Sequence, residues 1–376
     1  MNIGIDAKCL VGKRTGVANY VYYLIPEIKA IRPNDTIYLY SHTDFDNPLT
    51  SNRVVKRIVN TIQSKSGVIW LYTECKHAIV KDGINVFWSP SGLLPKLDPK
   101  IKTVLTIHDF VWKKHPESMT FLYRLAVSLL SSQAVRNADR IFTNSDAVAA
   151  ELKEYLMRQA DAVIRPAVDN KFYHREFSEI EAVKRKYCIT APYFFVVGTL
   201  EPRKNLEIFL RAYSDLLAIH SKEASSCRLV IAGGKGWKYS KMVKLINYAQ
   251  QNGWVQCLGY VEDEDLAALY SGAEVFFMPS FYEGFGMPVL EARYCGTPLA
   301  VADVPAMHEA GGNAALYHPP TYEGIYEVLE RIIVRKEKPP RPNIESVLWS
   351  WKSGALQLSQ MIDQLVLPES VGIKLL

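Results

Sequence analysis

FFMPSFYEGFGMPVLEARYCGTP, residues 276–298, is the stretch whose reading decides the fold. Phe276, Phe277 and Met278 read as the end of a buried strand, and Pro279 to Gly286 as a turn-rich loop. A short helix follows, with Pro288 at its first position, where a missing N–H costs nothing. Gly296 and then Thr297-Pro298 stop it. Strand, glycine loop and helix N-terminus together aim backbone N–H groups and a partial positive charge at an anion. Two carboxylates sit within the stretch. Glu283 lies beside Gly284 and Gly286, where the backbone can approach a ligand closely, and Glu291 lies one turn into the helix. A carboxylate accepts two hydrogen bonds side by side, which suits the vicinal hydroxyls of a sugar or ribose.

Working outward, YFFVVGTLEPRKNLEIFLRAYSDLL (193–217) reads as a strand, Gly198, a short loop and a helix capped by Asn205. Arg203 and Lys204 fall at the strand-to-helix turn, two cations at a helix N-terminus and hence suited to a diphosphate. CRLVIAGGKGW (227–237) is another strand, with a Gly233-Gly234 turn and Lys235 beyond it. VQCLGYVEDEDLAALYSGA (255–273) gives a strand, the turn Gly259-Tyr260-Val261 and a helix capped near Glu262-Asp263.

In the first half, NIGIDA is a buried parallel strand, followed by a loop containing Gly12, Arg14 and Gly16 and by a helix. No G-x-G-x-x-G is present, which disfavours a dinucleotide-binding oxidoreductase. INVFWSPSGLLP and KTVLTIHDF are strands that end in polar turns. Ligands bind at the carboxyl ends of parallel strands, so Ser91, Gly92, His108 and Asp109 belong together. IWLYTECKHAIVKDG is helical, with Trp70, Leu71, Ile79 and Val80 available for the core. In MTFLYRLAVSLLSSQAVRNADRI (119–141), Phe121, Leu122, Leu125, Leu129 and Leu130 recur at helical spacing among Arg124, Arg136 and Arg140. A core-facing helix and a basic interfacial helix share this pattern; core packing is the expectation.

A chain of 376 residues predicts two or three domains. Apolar content of 48% with 22% charged residues is that of a globular protein rather than a disordered one. No run of 18 apolar residues occurs, and MNIGIDAKCL lacks a signal-peptide layout. The cysteines at 9, 75, 188, 227, 257 and 295 are far apart, which fits reduced thiols in a cytoplasm and argues against a zinc site. The net charge of +5 is uneven: residues 1–175 hold 24 Lys and Arg against 16 Asp and Glu, the remainder 20 against 23. A basic first half suggests phospholipid headgroups or a lipid-linked phosphate acceptor; nucleic acid ranks last, since no binding motif for it is visible.

The segment Glu283-Gly-Phe-Gly-Met-Pro-Val-Leu-Glu291 resembles the Glu-x7-Glu motif of retaining nucleotide-sugar glycosyltransferases of family 4, and GTLEPRKN resembles their bacterial mannosyl- and rhamnosyltransferases of surface polysaccharide synthesis. The likeness covers nearly the whole chain, strongest at 193–320 and weakest at 30–85. It implies an α/β GT-B fold of two Rossmann-like domains facing across a cleft: 1–175 on the acceptor side, 176–348 for the nucleotide-sugar, and 349–376 as a helical segment crossing back. DAVIRPAVDNKFY (161–173) resembles the exit from the first domain, and its charged continuation to Tyr187 is the expected hinge region.

The resemblance also implies roles. His108 would contact the transferred sugar, with Arg14, Ser91 and Asp109 on the acceptor side and Gly16 lying against donor phosphate. Gly198, Arg203 and Lys204 would hold the diphosphate, and Gly259, Tyr260 and Val261 the nucleobase edge. Glu283, with Gly284, Phe285, Gly286 and Met287, would orient the sugar, and Glu291 would hold the ribose diol. Many family members place arginine directly after the first glycine, where this chain has Thr199, so Arg203 must supply the charge. The implied activity is retaining transfer of a hexose, mannose-type favoured, from a nucleotide-diphosphate sugar, GDP-linked favoured, to a hydroxyl of a growing glycan. No cofactor and no metal are expected: Asp263-Glu264-Asp265 reads as helix N-terminal charge rather than as a metal-holding Asp-x-Asp. The expected location is cytoplasmic, peripheral at the inner face of the membrane. The competing readings are a GT-B nucleotide-sugar epimerase and a catalytically silent GT-B subunit.

Overall fold

The short apolar runs become strands, each returned by a crossover, so that every pairing is parallel. The computed structural model describes residues 1–14, 16–60, 66–220, 227–234, 236, 240–342 and 349–366; Lys235 lies outside them. One sheet contains β1 (Asn2–Asp6), β2 (Thr36–Ser41), β3 (Val54–Ile58), β4 (Val86–Ser89), β5 (Lys102–Ile107), β6 (Arg140–Thr143) and β7 (Ala162–Val163), in the order β3-β2-β1-β4-β5-β6-β7. The other contains β8 (Tyr193–Val197), β9 (Arg228–Ala232), β10 (Val255–Gly259), β11 (Val275–Met278), β12 (Leu299–Ala302) and β13 (Ala315–His318), in the order β10-β9-β8-β11-β12-β13. In both sheets the first strand lies inside, and the order reverses beside it. The loops leaving β1 and β4, and those leaving β8 and β11, therefore splay apart at a switch point and leave room for a ligand.

The chain divides into two compact units, Met1–Phe110 with Phe121–Ala167 and Trp349–Leu376, and Val111–Thr120 with Val168–Leu348. The crossing at Ala167–Val168 comes earlier than the sequence reading placed it. The stretch read as a hinge is instead a helix of the second unit, α3 (Phe177–Lys186), entered through a capping box between Glu176 and Glu179. Lys186 and Tyr187 at its end both bond the Asp265 carboxylate, at 2.5 and 2.7 Å.

In the first unit, Ile3, Ile5, Trp88, Val104 and Phe142 are buried in the core, as are Tyr20, Val21, Leu24, Ile25 and Ile28 of α1 (Gly16–Ile31). The C-terminal helix α7 (Trp351–Val366) lies against α1, the return that the family likeness implied. Arg32, after the end of α1, donates to Asp363 at 2.7 Å and to the Ser359 carbonyl at 3.1 Å, while Trp351 stacks on Tyr23. Gly354 lets α7 sit close to the segment after β7 as well as to α1: a Cβ there would lie 2.8 Å from Ile164 Cγ2 and 3.5 Å from Leu24 Cδ2.

Two core assignments are corrected. Trp70, Leu71 and Ile79 are buried, but Val80 is exposed, being a third of a turn round the helix from Ile79. Helix α2 (Phe121–Asn137) packs the other way round from expectation. Ser131, Ala134 and Val135 face inward, and Phe121, Leu122, Leu125 and Leu129 face solvent. Small side chains on the inward face let the helix sit close, and that contact uses the polar side of the leucine stripe.

Gly354→Leu should overpack the α1–α7 contact and cost about 1–3 kcal/mol of stability, read as a lowered urea midpoint. An unchanged midpoint would mean that the C-terminal helix is not anchored there.

Candidate active site

The second unit's switch point is built from two loops. After β8, Gly198 leads into Glu201-Pro-Arg-Lys-Asn205 and then α4 (Leu206–Ile219). After β11, Pro279 to Gly286 leads into α6 (Met287–Tyr294). Asn205 occupies the position before α4, yet its side chain makes no capping bond. It adopts a left-handed conformation and donates instead to the carbonyls of Pro279, at 3.0 Å, and Pro320, at 2.9 Å, tying the two loops together. Met287 rather than Pro288 is the first residue of α6. Gly286, at φ +99, supplies a turn that a Cβ would strain. The helix closes as expected at Gly296: its N–H bonds the Arg293 carbonyl, and Thr297 N–H bonds that of Ala292.

The tie between the loops brings three predicted residues into contact. Glu283 Oε2 accepts from Arg203 Nη1 at 2.8 Å, and Oε1 accepts from Lys204 Nζ at 2.6 Å. A fourth, which the sequence reading passed over, is Glu201, whose Oε1 lies 2.8 Å from Arg203 Nη2. Glu201, Lys204 and Glu283 are buried. Burial works against the charge on Glu283, but the adjacent Arg203 and Lys204 outweigh it and hold the carboxyl down at about 2. Two anions and two cations thus form a dry charge network at a helix N-terminus.

Glu291 lies further along α6, also buried, and its Oε2 accepts from the Tyr270 hydroxyl at 3.0 Å. Burial pushes this carboxyl up to about 7, the Tyr270 bond and Lys171 only partly opposing it. Tyr270, on α5 (Asp263–Ser271), is another residue the sequence reading passed over. Its signal was weak, one tyrosine in an apolar helix. Asp263 and Asp265 stand in the first turn of α5, but the helix end carries no side-chain cap. They pair separately instead, Asp263 with Lys171 and Asp265 with Lys186, each at 2.5 Å.

Gly233 backs the site at the end of β9: a Cβ there would fall 1.9 Å from the Gly198 carbonyl oxygen, so only glycine fits. Its N–H donates to the Gly259 carbonyl at 2.7 Å, which fixes the start of Gly259-Tyr260-Val261. Val261 is buried and Tyr260 partly exposed.

The first unit has its own switch-point cluster. Ser91, after β4, donates to Asp6 Oδ2 at 2.7 Å, and Lys8 Nζ bonds both of them. Asp6 and Lys8 were not singled out from the sequence; an aspartate closing an apolar strand was the available signal. His108, at the end of β5, bonds the Pro90 carbonyl, next to Ser91. Burial pulls the imidazole down to about 4, so it is neutral, and its Nε2 is buried without a partner among the described residues. Asp109 is exposed beside it. The guanidinium of Arg14 sits 4.0 Å from the centre of the Tyr22 ring. A Cβ on Gly16, the first residue of α1, would meet nothing within 4 Å among the described residues, so none of those demands glycine there.

Residues 14–172 match the model for Glycosyltransferase Family 4, and residues 180–344 that for Glycosyl transferases group 1. Each half of the chain thus matches a glycosyltransferase family model. The chain is 35% identical over 240 residues to O-antigen chain mannosyltransferase B of Escherichia coli, covering 62% of the chain and 61% of that relative. It is 28% identical over 273 residues to the serotype-specific mannosyltransferase WbdA of the same species, covering 70% of the chain and 33% of that protein. The matched regions thus span about three fifths and one third of these relatives' lengths. The sucrose-phosphate synthase of Thermosynechococcus elongatus superposes with a TM-score of 0.73 at 17% identity, covering 97% of this chain and 98% of that one. That likeness shows the fold, GT-B with its two parallel-sheet Rossmann-like domains.

Glu291 makes a pH prediction. Its folded value of about 7 lies above its ordinary 4.5. Stability from this group is therefore fully present below pH 4.5 and is lost as the pH rises through 7. The cost above pH 7 is roughly 3 kcal/mol. Glu291→Gln should remove that slope, so the variant gains on the wild type between pH 5 and pH 8 in thermal melts. Parallel pH profiles would place the carboxyl in a wetter setting.

Proposed function

We propose that the chain transfers a hexose, mannose-type in the favoured reading, from a nucleotide-diphosphate sugar to a hydroxyl of a growing bacterial surface polysaccharide, with retention at the anomeric carbon. The contact of Glu283 with both Arg203 and Lys204 carries this reading. It sets a sugar-orienting carboxylate beside two diphosphate-binding cations at a switch point. The relatives named mannosyltransferases support the sugar, and we favour a GDP-linked donor.

In this reading Arg203 and Lys204 take the diphosphate, Gly198 and Gly16 allow phosphate and backbone to approach, and the first N–H groups of α6 add the positive end of a helix. Glu283, with Gly284, Phe285, Gly286 and Met287, orients the sugar. His108 accepts a sugar hydroxyl through its neutral Nε2. The Gly259-Tyr260-Val261 turn meets the base, and Glu291 the ribose diol. Ser91, Asp109 and Arg14 serve the acceptor. As the sugar–phosphate bond breaks, charge grows on the leaving diphosphate, and the two cations stabilise it without rearranging. The sugar and its acceptor are held in position by the rest of the site. No divalent metal is required, since the cations already meet that charge and Asp263 and Asp265 are engaged by lysines. The acceptor is lipid-linked, and the chain works at the cytoplasmic face of a membrane. The surplus of cations in the first unit, 22 Lys and Arg against 16 Asp and Glu, supports that setting. Among the described residues no helix is long and apolar enough to cross a membrane.

A thermal-shift panel of nucleotide-sugars should single out GDP-mannose, and transfer should persist in excess EDTA. Loss on chelation with recovery on adding magnesium or manganese would assign Asp263 and Asp265 to a metal. Glu283→Gln should abolish transfer without weakening nucleoside-diphosphate binding, because it removes an anion that competes for both cations. Arg203→Ala should weaken that binding about ten- to a hundred-fold, the worth of a charge-assisted hydrogen bond. Full turnover by Glu283→Gln would falsify its role.

A further inference from the structure

The solvent-facing side of α2 is its apolar side. Leu122, Leu125, Ala126 and Leu129 stand at i, i+3, i+4 and i+7, a single stripe. The three leucines are 77, 47 and 61% exposed, and Phe121 and Tyr123 flank the start of the stripe at 67 and 57%. The inward face holds Ser131, Ala134 and Val135. Single exposed leucines are ordinary, but a contiguous apolar patch marks an interaction surface.

Charge identifies the partner. From residue 118 to residue 138 there is no carboxylate, and the two charged side chains are Arg124 and Arg136. Arg136 is exposed on the leucine face, two turns beyond Leu129. The guanidinium of Arg124 sits 5.4 Å from the centre of the Phe121 ring. The unit that bears the helix has a surplus of six cations. An apolar stripe accompanied only by arginines suits a surface that is greasy within and anionic at its boundary.

We propose that α2 is a membrane-interface helix. It lies in the plane of an anionic phospholipid surface, with Phe121, Leu122, Leu125 and Leu129 at the acyl boundary and the arginines among the phosphates. Its 17 residues are too few to span a bilayer when the flanks are polar. This rests on, and deepens, the membrane setting proposed above; it does not depend on the identity of donor or acceptor.

The test is co-sedimentation of the full chain with phosphatidylglycerol-rich vesicles and with phosphatidylcholine vesicles, neither containing a glycan acceptor. The wild type should sediment with the anionic vesicles and be released by high salt. The triple variant Leu122→Glu, Leu125→Glu, Leu129→Glu should lose about ten-fold or more in partitioning, since it removes three buried side chains and adds repulsion. These positions face solvent, so its melting temperature and its transfer to a short water-soluble acceptor should stay at wild-type level. Arg136→Glu should fall between the two. A wild type that stays in the supernatant with both vesicles, or a triple variant that sediments equally well, overturns the proposal. So does a wild-type dimer that binds no vesicles and that the triple variant dissociates. Loss of transfer by the wild type itself, with vesicle binding intact, counts instead against the glycosyltransferase reading.

Discussion

The second unit depends on one buried contact, the Glu283 carboxylate held between Arg203 and Lys204. Charges removed from water cost several kcal/mol each unless they are paired with good geometry. Every polypeptide feature around this network serves that pairing. Asn205 gives up its capping bond to hold the two loops together. Gly233 brings β9 hard against Gly198, and Glu201 takes the second face of the Arg203 guanidinium. The network is neutral as a whole, two anions against two cations. A diphosphate bound as proposed would have to draw these cations from Glu283, which would free that carboxylate for a hydroxyl.

The two carboxylates of the Glu-x7-Glu segment are opposites in environment although they share a loop and a helix. Glu283 has cations at both oxygens and stays ionised far into acid. Glu291 has a tyrosine hydroxyl and a more distant lysine, so burial dominates and its proton is held to near neutrality. Their difference arises from what each faces, not from spacing. A strong acceptor in the loop and a near-neutral one in the middle of the helix are thereby set in one short segment. In the first unit the same strand-end logic recurs with different chemistry. Asp6, Lys8 and Ser91 satisfy one another, while His108 is kept neutral with Nε2 unpartnered among the described residues.

Local pattern failed where a choice of side had to be made. The leucines of α2 have the period of a core helix, and periodicity gives a stripe but not the direction in which the stripe points. The decision fell to Ser131 and Ala134, whose small volume lets the opposite face approach the sheet. Val80 was misplaced for the same reason, by a third of a turn. The segment before Tyr187 looked like a linker because it is charged; its charges in fact cap a helix and bond Asp265. Asn205 is at a helix start, as read, with its side chain turned to a tertiary partner.

By itself, the sequence determined the alternation of short apolar runs with helices, hence parallel sheets, and the strand ends where ligand-binding residues collect. It also carried, in Glu283 to Glu291 and GTLEPRKN, the likeness to glycosyltransferases that the family models match. Tertiary structure alone decided which of those residues touch. Arg203 and Lys204 are some eighty positions from Glu283, and no local rule links them. It also decided protonation, since desolvation and charge pairing depend on neighbours brought from other elements, and it decided which face of α2 meets solvent. Local preference is set within a few residues; burial is a property of the assembled chain.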